Sequence, residues 1–204
     1  PAVCDQGQLG SCGPSSEDGL IQFDQGKQGL PLTPASRLFV YYTTRQLMDT
    51  VSYDSGVDNR TMLKALNQYG FCPESAWPYD IPRFTTQPSQ AAYSAAVSNR
   101  VTSYAAVAQN EGDVMGCLAA GYPFLFGFTV YESFEGDVTA RTGVVSMPRR
   151  SERVLGGHDV CIVGYNTDTG RWKFRNSWGV GWGTGGYGSF PREYVLNPDL
   201  SGDF

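Results

Sequence analysis

The hydrophobic periodicity of this chain changes once along its length, at Gly121. Before Gly121, apolar side chains recur at the three- and four-residue spacing of amphipathic helices, as in Leu38, Tyr41 and Tyr42. After Gly121, short aromatic and β-branched runs such as 123–131, PFLFGFTVY, are typical of strands. Because the helices precede the strands and do not alternate with them, the pattern predicts an α+β fold in which the two kinds of element are segregated.

Caps and turn residues indicate where the elements begin and end. We expect the first helix to begin at Ser11 and the second to follow Thr33-Pro34, as an N-cap and a first-turn proline. Further helices are predicted over about 59–69, 89–99 and 111–120, and strands over about 123–131, 144–147, 159–165 and 171–175. The turn Asp168-Thr169-Gly170 predicts that the last two strands form a hairpin.

The composition excludes several classes of protein. A net charge of −5 argues against nucleic-acid binding, and no apolar run approaches the roughly 20 residues of a membrane span. Five cysteines are too few for a disulfide scaffold, and neither a CxxC motif nor a Cys-His pair indicates zinc. We therefore expect no nucleic-acid or membrane partner and no metal or organic cofactor. The connectivity of the cysteines stays open, with Cys72 and Cys117 as one candidate pair.

One cysteine, Cys12, lies in the segment DQGQLGSCGPSS, between a small polar pair and Gly13-Pro14. If a helix begins at Ser11, Cys12 occupies its first turn, where unpaired N–H groups and the helix macrodipole favour an anion. A thiolate is such an anion, and it is the reactive form of cysteine. A buried structural cysteine is the alternative, since most cysteines are buried. The segment alone leaves both interpretations open.

The single histidine, His158, is the one candidate for any mechanism that needs an imidazole base. It begins an apolar strand, GGHDVCIVGY, and Asn176 follows the hairpin partner of that strand. The hairpin therefore predicts that Asn176 lies near His158, where its amide could hold one ring nitrogen and leave the other to face a thiol. Each residue also has a plainer interpretation, as a hydrogen-bonded strand histidine and as a turn asparagine.

Three segments, QGQLGSC, GGHDVCIVGY and RNSWGVGWGTGGY, resemble in this order the papain-like cysteine peptidases. The histidine lies at that family's spacing of about 130–150 residues from the cysteine, and the asparagine falls slightly beyond it. YGFCPESAWPYD and GYPFLFGFTVYESFE are similar to a bacterial and viral branch of the family. The resemblance implies a two-lobe fold, with an N-terminal helical lobe, a C-terminal antiparallel β-barrel-like lobe and the active-site cleft between them. We expect one peptidase domain over 1–204, with the helical lobe over about 11–100 and the β lobe over about 101–204.

The resemblance also implies a role for each residue of the active site. Cys12 would be the nucleophile, and His158 the base that forms an ion pair with it. Asn176 would orient His158, and Trp178 would shield their contact from water. Gln6 would donate a side-chain N–H to the tetrahedral oxyanion, together with the backbone N–H of Cys12.

Substrate-binding residues follow from the same resemblance, and so do the departures from it. Ser55-Gly56 resembles the strip that pairs with substrate backbone, and Gly157 resembles the residue whose carbonyl meets the substrate near the scissile bond. Leu9 stands where papain itself has a half-cystine, so that disulfide cannot form. Gly13-Pro14 replaces the aromatic residue and the small residue that usually follow the nucleophile in that family. Asp159 stands where an alanine is common, and we expect its side chain to face solvent because strand neighbours point opposite ways.

These residues predict a cysteine endopeptidase that hydrolyses peptide bonds through a Cys12 thiolate, His158 and an acyl-enzyme. An endopeptidase is favoured over a carboxydipeptidase, because such exopeptidase relatives use an occluding loop with added histidines. The alternatives are another Cys-His acyl transferase or isopeptidase, and a non-catalytic binding protein on the same fold.

We expect the partners of this chain to be peptide or protein substrates and a propeptide or protein inhibitor, and we expect the chain to be a monomer. The chain begins at Pro1, which predicts a processed product; its compartment stays open, with a secreted or extracytoplasmic location favoured.

Overall fold

A computed structural model describes residues 1–204 as two compact units. The first unit comprises Pro1 and Gln6–Ala105, and the second comprises Ala2–Asp5 and Ala106–Phe204. The main run of helices lies in the first unit and the sheet lies in the second, as the change of periodicity predicts. No helix combines the length and the apolar character that crossing a membrane requires.

The first unit is helical. Its elements are α1 (Cys12–Lys27), α2 (Arg37–Leu47), α3 (Asn59–Gln68), a 3-10 turn (Ile81–Arg83) and α4 (Gln90–Ala96). The predicted cap of α2 is wrong by three residues. The N-cap is Ser36, not Thr33, because the Ser36 hydroxyl accepts the Phe39 N–H at 3.1 Å and satisfies a first-turn donor. Asp58 and Ser89 cap α3 and α4 in the same way.

The core of the first unit forms where α2 meets the segments around it. Leu38, Phe39 and Tyr41 of α2 are fully buried, at 0% exposure. They pack in one cluster with Leu9, Cys72, Trp77, Ala92 and Ala96. Leu9 therefore fills apolar space at the position that papain gives to a half-cystine. Cys72 and Cys117 are both free thiols, so the candidate disulfide between them is not formed.

The second unit is built on an open antiparallel sheet. Its elements are α5 (Glu111–Ala119), β1 (Phe124–Tyr131), α6 (Glu132–Glu135), α7 (Asp137–Thr142), β2 (Val154–Asn166), β3 (Arg171–Arg175), β4 (Tyr187–Pro191), α8 (Arg192–Val195) and β5 (Ser201–Gly202). The strand order is β4-β3-β2-β1-β5, which places β2 at the centre. The predicted hairpin between β2 and β3 is confirmed by their antiparallel register.

Two strand predictions in the second unit differ from the structure. Residues 144–147 form no strand; Val144 makes only an isolated parallel bridge to Ser189. The bridge is supported by the Val145 N–H donating to the Ser189 carbonyl at 3.0 Å, and this pairing does not extend along the chain. β2 begins at Val154, well before the predicted start, because β1 pairs with it from Phe124 to Tyr131.

Aromatic side chains from β1, α6 and β4 pack together in the core of the second unit. Residues 124–126, Phe128 and Val130 of β1 are buried, and Phe128 packs at 4.8–4.9 Å between ring centroids against Phe134 and Phe190. Each such ring contributes about 1.5–3 kcal/mol of hydrophobic burial to folding. Phe128 also lies directly opposite His158 in the β1–β2 register. The aromatic core therefore supports the strand that carries the histidine.

Candidate active site

Cys12 is the first residue of α1 and is half-buried. The turn ahead of it is held by backbone hydrogen bonds, with the Ser11 N–H donating to Leu9 O at 2.7 Å and the Ser15 N–H donating to Ser11 O at 3.0 Å. The predicted place of Cys12 in the first turn of a helix is confirmed. At this position the orphan N–H groups and the macrodipole favour negative charge on the sulfur.

Gly13-Pro14, the departure that follows Cys12, is accommodated within α1. Both residues are buried, and the helix runs through them without a break. A Cβ built on Gly13 would lie 3.0 Å from the Val57 side chain and 3.5 Å from the Met62 sulfur. A side chain here would therefore require Val57 to shift slightly, so the small residue at position 13 fits the packing of Val57 and Met62.

Gln6 is held firmly ahead of the helix. It is 7% exposed, and its Nε2 donates to the Leu9 carbonyl at 3.0 Å. Its own backbone carbonyl accepts the Tyr79 hydroxyl at 2.8 Å. The first of these contacts sets the direction of the side-chain amide and the second anchors its backbone, so the position of Gln6 is fixed within the first unit.

The segment Ser55-Gly56 follows a tight turn at the surface. Gly56 has φ of +67°, a conformation that favours glycine, and its N–H donates to the Tyr41 hydroxyl at 3.2 Å. Its carbonyl accepts the Ser55 hydroxyl at 2.8 Å. A carbonyl oxygen has two lone pairs, so the Gly56 carbonyl can accept a second hydrogen bond besides the one from Ser55.

His158 lies on the central strand β2 and is 7% exposed. Its Nε2 is 2.8 Å from Oδ1 of Asn176, which is the contact that the hairpin predicts. The Ser177 backbone N–H donates to the same Asn176 atom at 2.8 Å, which assigns that atom as the amide oxygen. An amide oxygen only accepts, so Nε2 of His158 carries the proton and Nδ1 keeps the lone pair.

Burial lowers the pKa of His158 to about 4, and the hydrogen bond to Asn176 raises it against that effect. The surroundings of the ring within the second unit are aromatic, with Trp178 stacked at 4.8 Å and Phe128 edge-on at 5.6 Å between centroids. Such walls solvate an imidazolium poorly, so the neutral ring is favoured near pH 7. A neutral ring with its lone pair on Nδ1 is able to accept a proton there.

Trp178 belongs to a loop that is fixed by the start of the chain. The Gly179 N–H donates to the Cys4 carbonyl at 3.0 Å, and Asp5 forms a β-bridge with Trp178. Ala2–Asp5 thereby belongs to the second unit, although it is the first segment of the sequence. The bridge holds the indole ring in its stacked position over His158.

The residues on either side of His158 differ in exposure. Gly157 is exposed and pairs with Thr129 of β1. Asp159 is only 6% exposed, so the expectation that it faces solvent is wrong. Residues 158–162 are all buried, so both faces of β2 are covered there. Period-two alternation cannot distinguish inside from outside on such a strand.

No group of three or more His, Cys, Asp and Glu side chains is arranged to hold a metal ion.

Two residues that the sequence does not single out take part in the geometry around Cys12. Tyr79 anchors Gln6, as described above, and Asp54 accepts the backbone N–H of Gly10 with both carboxylate oxygens, at 3.1 and 3.0 Å. Neither has a local sequence signal, because each contact joins segments far apart in the chain.

Comparison with known proteins gives a consistent result. The profile of the papain family cysteine proteases matches residues 33–197, a span that contains His158 and Asn176 and begins after Gln6 and Cys12. An uncharacterized peptidase C1-like protein of Acanthamoeba polyphaga mimivirus is 37% identical over 209 residues, which is 98% of this chain and 67% of the viral protein.

Solved structures show the same likeness. Xylellain, a cysteine protease from Xylella fastidiosa, superposes with a TM-score of 0.95 and 37% identity, covering 100% of this chain and 81% of xylellain. A cysteine protease of Carica candamarcensis, solved in complex with E-64, gives a TM-score of 0.67 at 25% identity, covering 93% of this chain and 82% of that one.

Proposed function

The chain belongs to the papain family of cysteine proteases, and on that premise we propose that it is an endopeptidase with Cys12 as its nucleophile and His158 as its base. One observation carries the assignment of roles: Asn176 Oδ1 accepts the proton on His158 Nε2 at 2.8 Å. That hydrogen bond leaves Nδ1 as the atom that accepts a proton. A base held in one tautomer by a third group is the arrangement that activates a nucleophile.

Acylation starts with transfer of the Cys12 thiol proton to His158 Nδ1. The sulfur then bonds to the carbonyl carbon of the substrate, and the negative charge moves to the carbonyl oxygen. Gln6 Nε2 and the Cys12 backbone N–H donate to that oxyanion; removing one such donor typically lowers kcat about a hundredfold or more. The proton on Nδ1 passes to the leaving amine as the C–N bond breaks, which leaves a thioester on Cys12.

In deacylation His158 acts first as a base towards water and then as an acid towards the sulfur. His158 Nδ1 takes a proton from water as the water oxygen attacks the thioester carbonyl. The C–S bond breaks, the product leaves as a carboxylic acid, and the sulfur recovers its proton from His158. Burial lowers the pKa of His158. In the ion pair this effect is offset, because a neighbouring thiolate favours the imidazolium and so raises the pKa of His158.

Substrate is bound along its backbone in this proposal. Ser55 and Gly56 pair with it on one side, and the carbonyl of Gly157, an exposed residue, meets it next to the scissile bond. Trp178 keeps water from the His158–Asn176 hydrogen bond. Peptides and proteins are the substrates, a propeptide or a protein inhibitor would occupy the same groups, and the chain acts as a monomer.

The test is peptide hydrolysis by the purified chain and by Cys12→Ala and His158→Ala. Both variants should lose hydrolysis while their circular dichroism and melting temperature stay close to those of the parent chain. A peptidyl epoxide should label Cys12 in the parent chain. Activity that persists in Cys12→Ala would overturn the proposal.

Two other outcomes separate the alternatives. Transfer of the acyl group to an added amine in preference to water would assign the chain to the acyl transferases. A folded parent chain that neither cleaves peptides nor reacts with the epoxide would assign it to the non-catalytic binding proteins.

A further inference from the structure

The proposed mechanism makes no use of Asp54, although its carboxylate contacts the segment that leads to the nucleophile. Both Asp54 oxygens accept the Gly10 N–H, at 3.1 and 3.0 Å, and Gly10 lies two residues before Cys12. A Cβ built on Gly10 would lie 2.8 Å from Asp54 Oδ1. Only glycine at position 10 therefore lets the carboxylate come this close to the backbone.

The same carboxylate is tied to the substrate strip through a buried phenol. The Tyr41 hydroxyl donates to Asp54 Oδ1, and it accepts the Gly56 N–H at 3.2 Å. Tyr41 is fully buried on α2. Burial, and next the hydrogen bond to Asp54, raise the pKa of Tyr41 well above its ordinary value. The phenol therefore stays a donor at any pH at which an enzyme works.

A buried cation supports the loop that presents Asp54. Arg45 is fully buried, and its guanidinium donates to the carbonyls of Val51 and Tyr53, at 3.0 and 2.9 Å, and to that of Phe84. The guanidinium also lies 4.0 Å above the centre of the Tyr41 ring. Two of these contacts lie in the loop before Asp54 and the third joins that loop to Phe84, so one planar group fixes the loop at two backbone positions.

The two backbone segments joined in this way lie side by side. A Cβ built on Gly56 would be 4.0 Å from the Gly10 carbonyl oxygen. Asp54 thus bridges the segment before Cys12 and the Ser55-Gly56 strip by hydrogen bonds. Leu9, next to Gly10, is a buried apolar residue and no disulfide holds this segment. The polar bridge is a direct side-chain connection between the two segments.

We propose that Asp54 is a positioning residue that sets the spacing between the oxyanion donors and the strip that binds substrate backbone. The inference rests on the proposed function. Gly10 leads directly into Ser11 and Cys12, so a shift of this segment moves the Cys12 N–H relative to a substrate held at Gly56. Misplacement by about 1 Å can cost on the order of a hundredfold in rate.

The experiment compares Asp54→Ala with a matched control, Asp58→Ala, by steady-state peptide hydrolysis. Asp58 is an exposed carboxylate in the same segment, and it accepts the Thr61 N–H at 2.8 Å as the N-cap of α3. Both changes remove a carboxylate that accepts a backbone N–H. We expect kcat/KM to fall roughly tenfold to a hundredfold in Asp54→Ala, with kcat lowered and KM raised. The kcat/KM of Asp58→Ala should stay within about twofold of the parent value, because the loss of this N-cap destabilises only the start of α3.

Asp54→Asn tests for rescue by a residue of the same shape. The amide oxygen has two lone pairs and can still accept from Tyr41 and Gly10, but without the charge. We expect its kcat/KM to lie between those of the parent chain and Asp54→Ala. If Asp54→Ala fails to fold, Asp54→Asn decides the question, and a value equal to that of Asp58→Ala overturns the proposal.

Alkylation by iodoacetamide separates the two proposals. This small reagent reports the Cys12 thiolate without engaging the Ser55-Gly56 strip, so its rate should be almost the same in Asp54→Ala and Asp58→Ala. A parent chain with no peptidase activity would contradict the proposed function. An active parent chain whose Asp54→Ala and Asp58→Ala variants have equal kcat/KM would contradict the role of Asp54 alone.

Discussion

The Nε2 atom of His158 lies 2.8 Å from Oδ1 of Asn176, and that oxygen also accepts the Ser177 N–H at 2.8 Å. The second contact prevents the amide from turning its NH2 group towards the ring. The pair therefore selects one tautomer of the only histidine in the chain. In the proposed mechanism this selection decides which ring nitrogen meets the thiol.

Asn176→Ala should lower kcat for peptide hydrolysis roughly a hundredfold, with a smaller effect on KM, because the imidazole loses the partner that fixes its tautomer. The matched control is Asn166→Ala in the β2–β3 turn, where the side chain accepts the Thr169 N–H at 2.9 Å. That variant should keep kcat within about twofold, since it alters only an exposed turn. Equal losses in the two variants would contradict the role of Asn176.

The single histidine permits a direct titration of the pairing by NMR. In Cys12→Ala, the pKa of His158 should be about 4, because burial disfavours the charged ring. With Cys12 intact and the proposed ion pair formed, the pKa should be higher, since a thiolate favours the imidazolium. Identical titration curves for the two chains would exclude an interaction between Cys12 and His158.

The same burial predicts how stability depends on pH in Cys12→Ala. An unfolded chain binds a proton at its histidine below about pH 6.5, whereas folded His158 does so only near pH 4. The contribution of this group is therefore complete above about pH 6.5 and is lost as the pH falls to 4. It amounts to at most about 3 kcal/mol. Urea unfolding of Cys12→Ala and Cys12→Ala/His158→Gln at pH 7 and pH 4.5 measures it; parallel pH profiles would contradict it.

Glu17 makes the free energy of unfolding depend on pH in the opposite direction. It is buried in α1, and burial, followed by Asp24 and Asp18, raises its pKa to about 7. Its Oε2 is buried without a hydrogen-bond partner, which disfavours the charged form. The folded chain keeps this proton up to about pH 7, while the unfolded chain loses it above about pH 4.5. Stability from this group is complete below pH 4.5 and is lost as the pH rises through 7.

Glu17→Gln should therefore be more stable than the parent chain at pH 8, by up to about 3 kcal/mol, and nearly equal to it at pH 4. Urea unfolding at the two pH values measures the difference. Glu135→Gln, at an exposed position, is the control and should show little change. A Glu17→Gln variant that is no more stable at pH 8 would contradict the prediction.

Substitution of two glycines that share a backbone conformation distinguishes the cost of backbone strain from the cost of steric overlap. Gly29 and Gly70 have φ of +71° and +78°. A Cβ on Gly29 meets nothing within 4 Å, whereas a Cβ on Gly70 would lie 2.1 Å from the Ala96 carbonyl oxygen. Gly29→Ala should cost about 1–2 kcal/mol of unfolding free energy, from backbone conformation alone. Gly70→Ala should cost clearly more, and thermal or urea unfolding that ranks the two equally would contradict this account.

Much of the local structure follows from sequence patterns. The helices of the first unit, the strands β1 and β3, the β2–β3 hairpin and the place of Cys12 at a helix start are all confirmed. The misses have physical causes. Thr33-Pro34 and Ser36 are both acceptable caps, and only Ser36 has its hydroxyl within reach of a first-turn N–H. Residues 144–147 have strand composition but find only one bridging partner, at Ser189.

The sequence by itself determined that the main run of helices precedes the sheet, that Cys12 lies in the first turn of a helix and that Asn176 lies near His158, because these depend on periodicity, caps and one short turn. It did not reveal the short helices α6, α7 and α8, which lie between strands. Only the tertiary structure decided that Asp159 is buried, that Oδ1 of Asn176 faces the ring, and that Asp54 reaches Gly10. Burial depends on what covers both faces of a strand, and the Asp54–Gly10 contact joins residues 44 positions apart. Local patterns carry no information on which distant segments come into contact, since packing of the whole unit selects them.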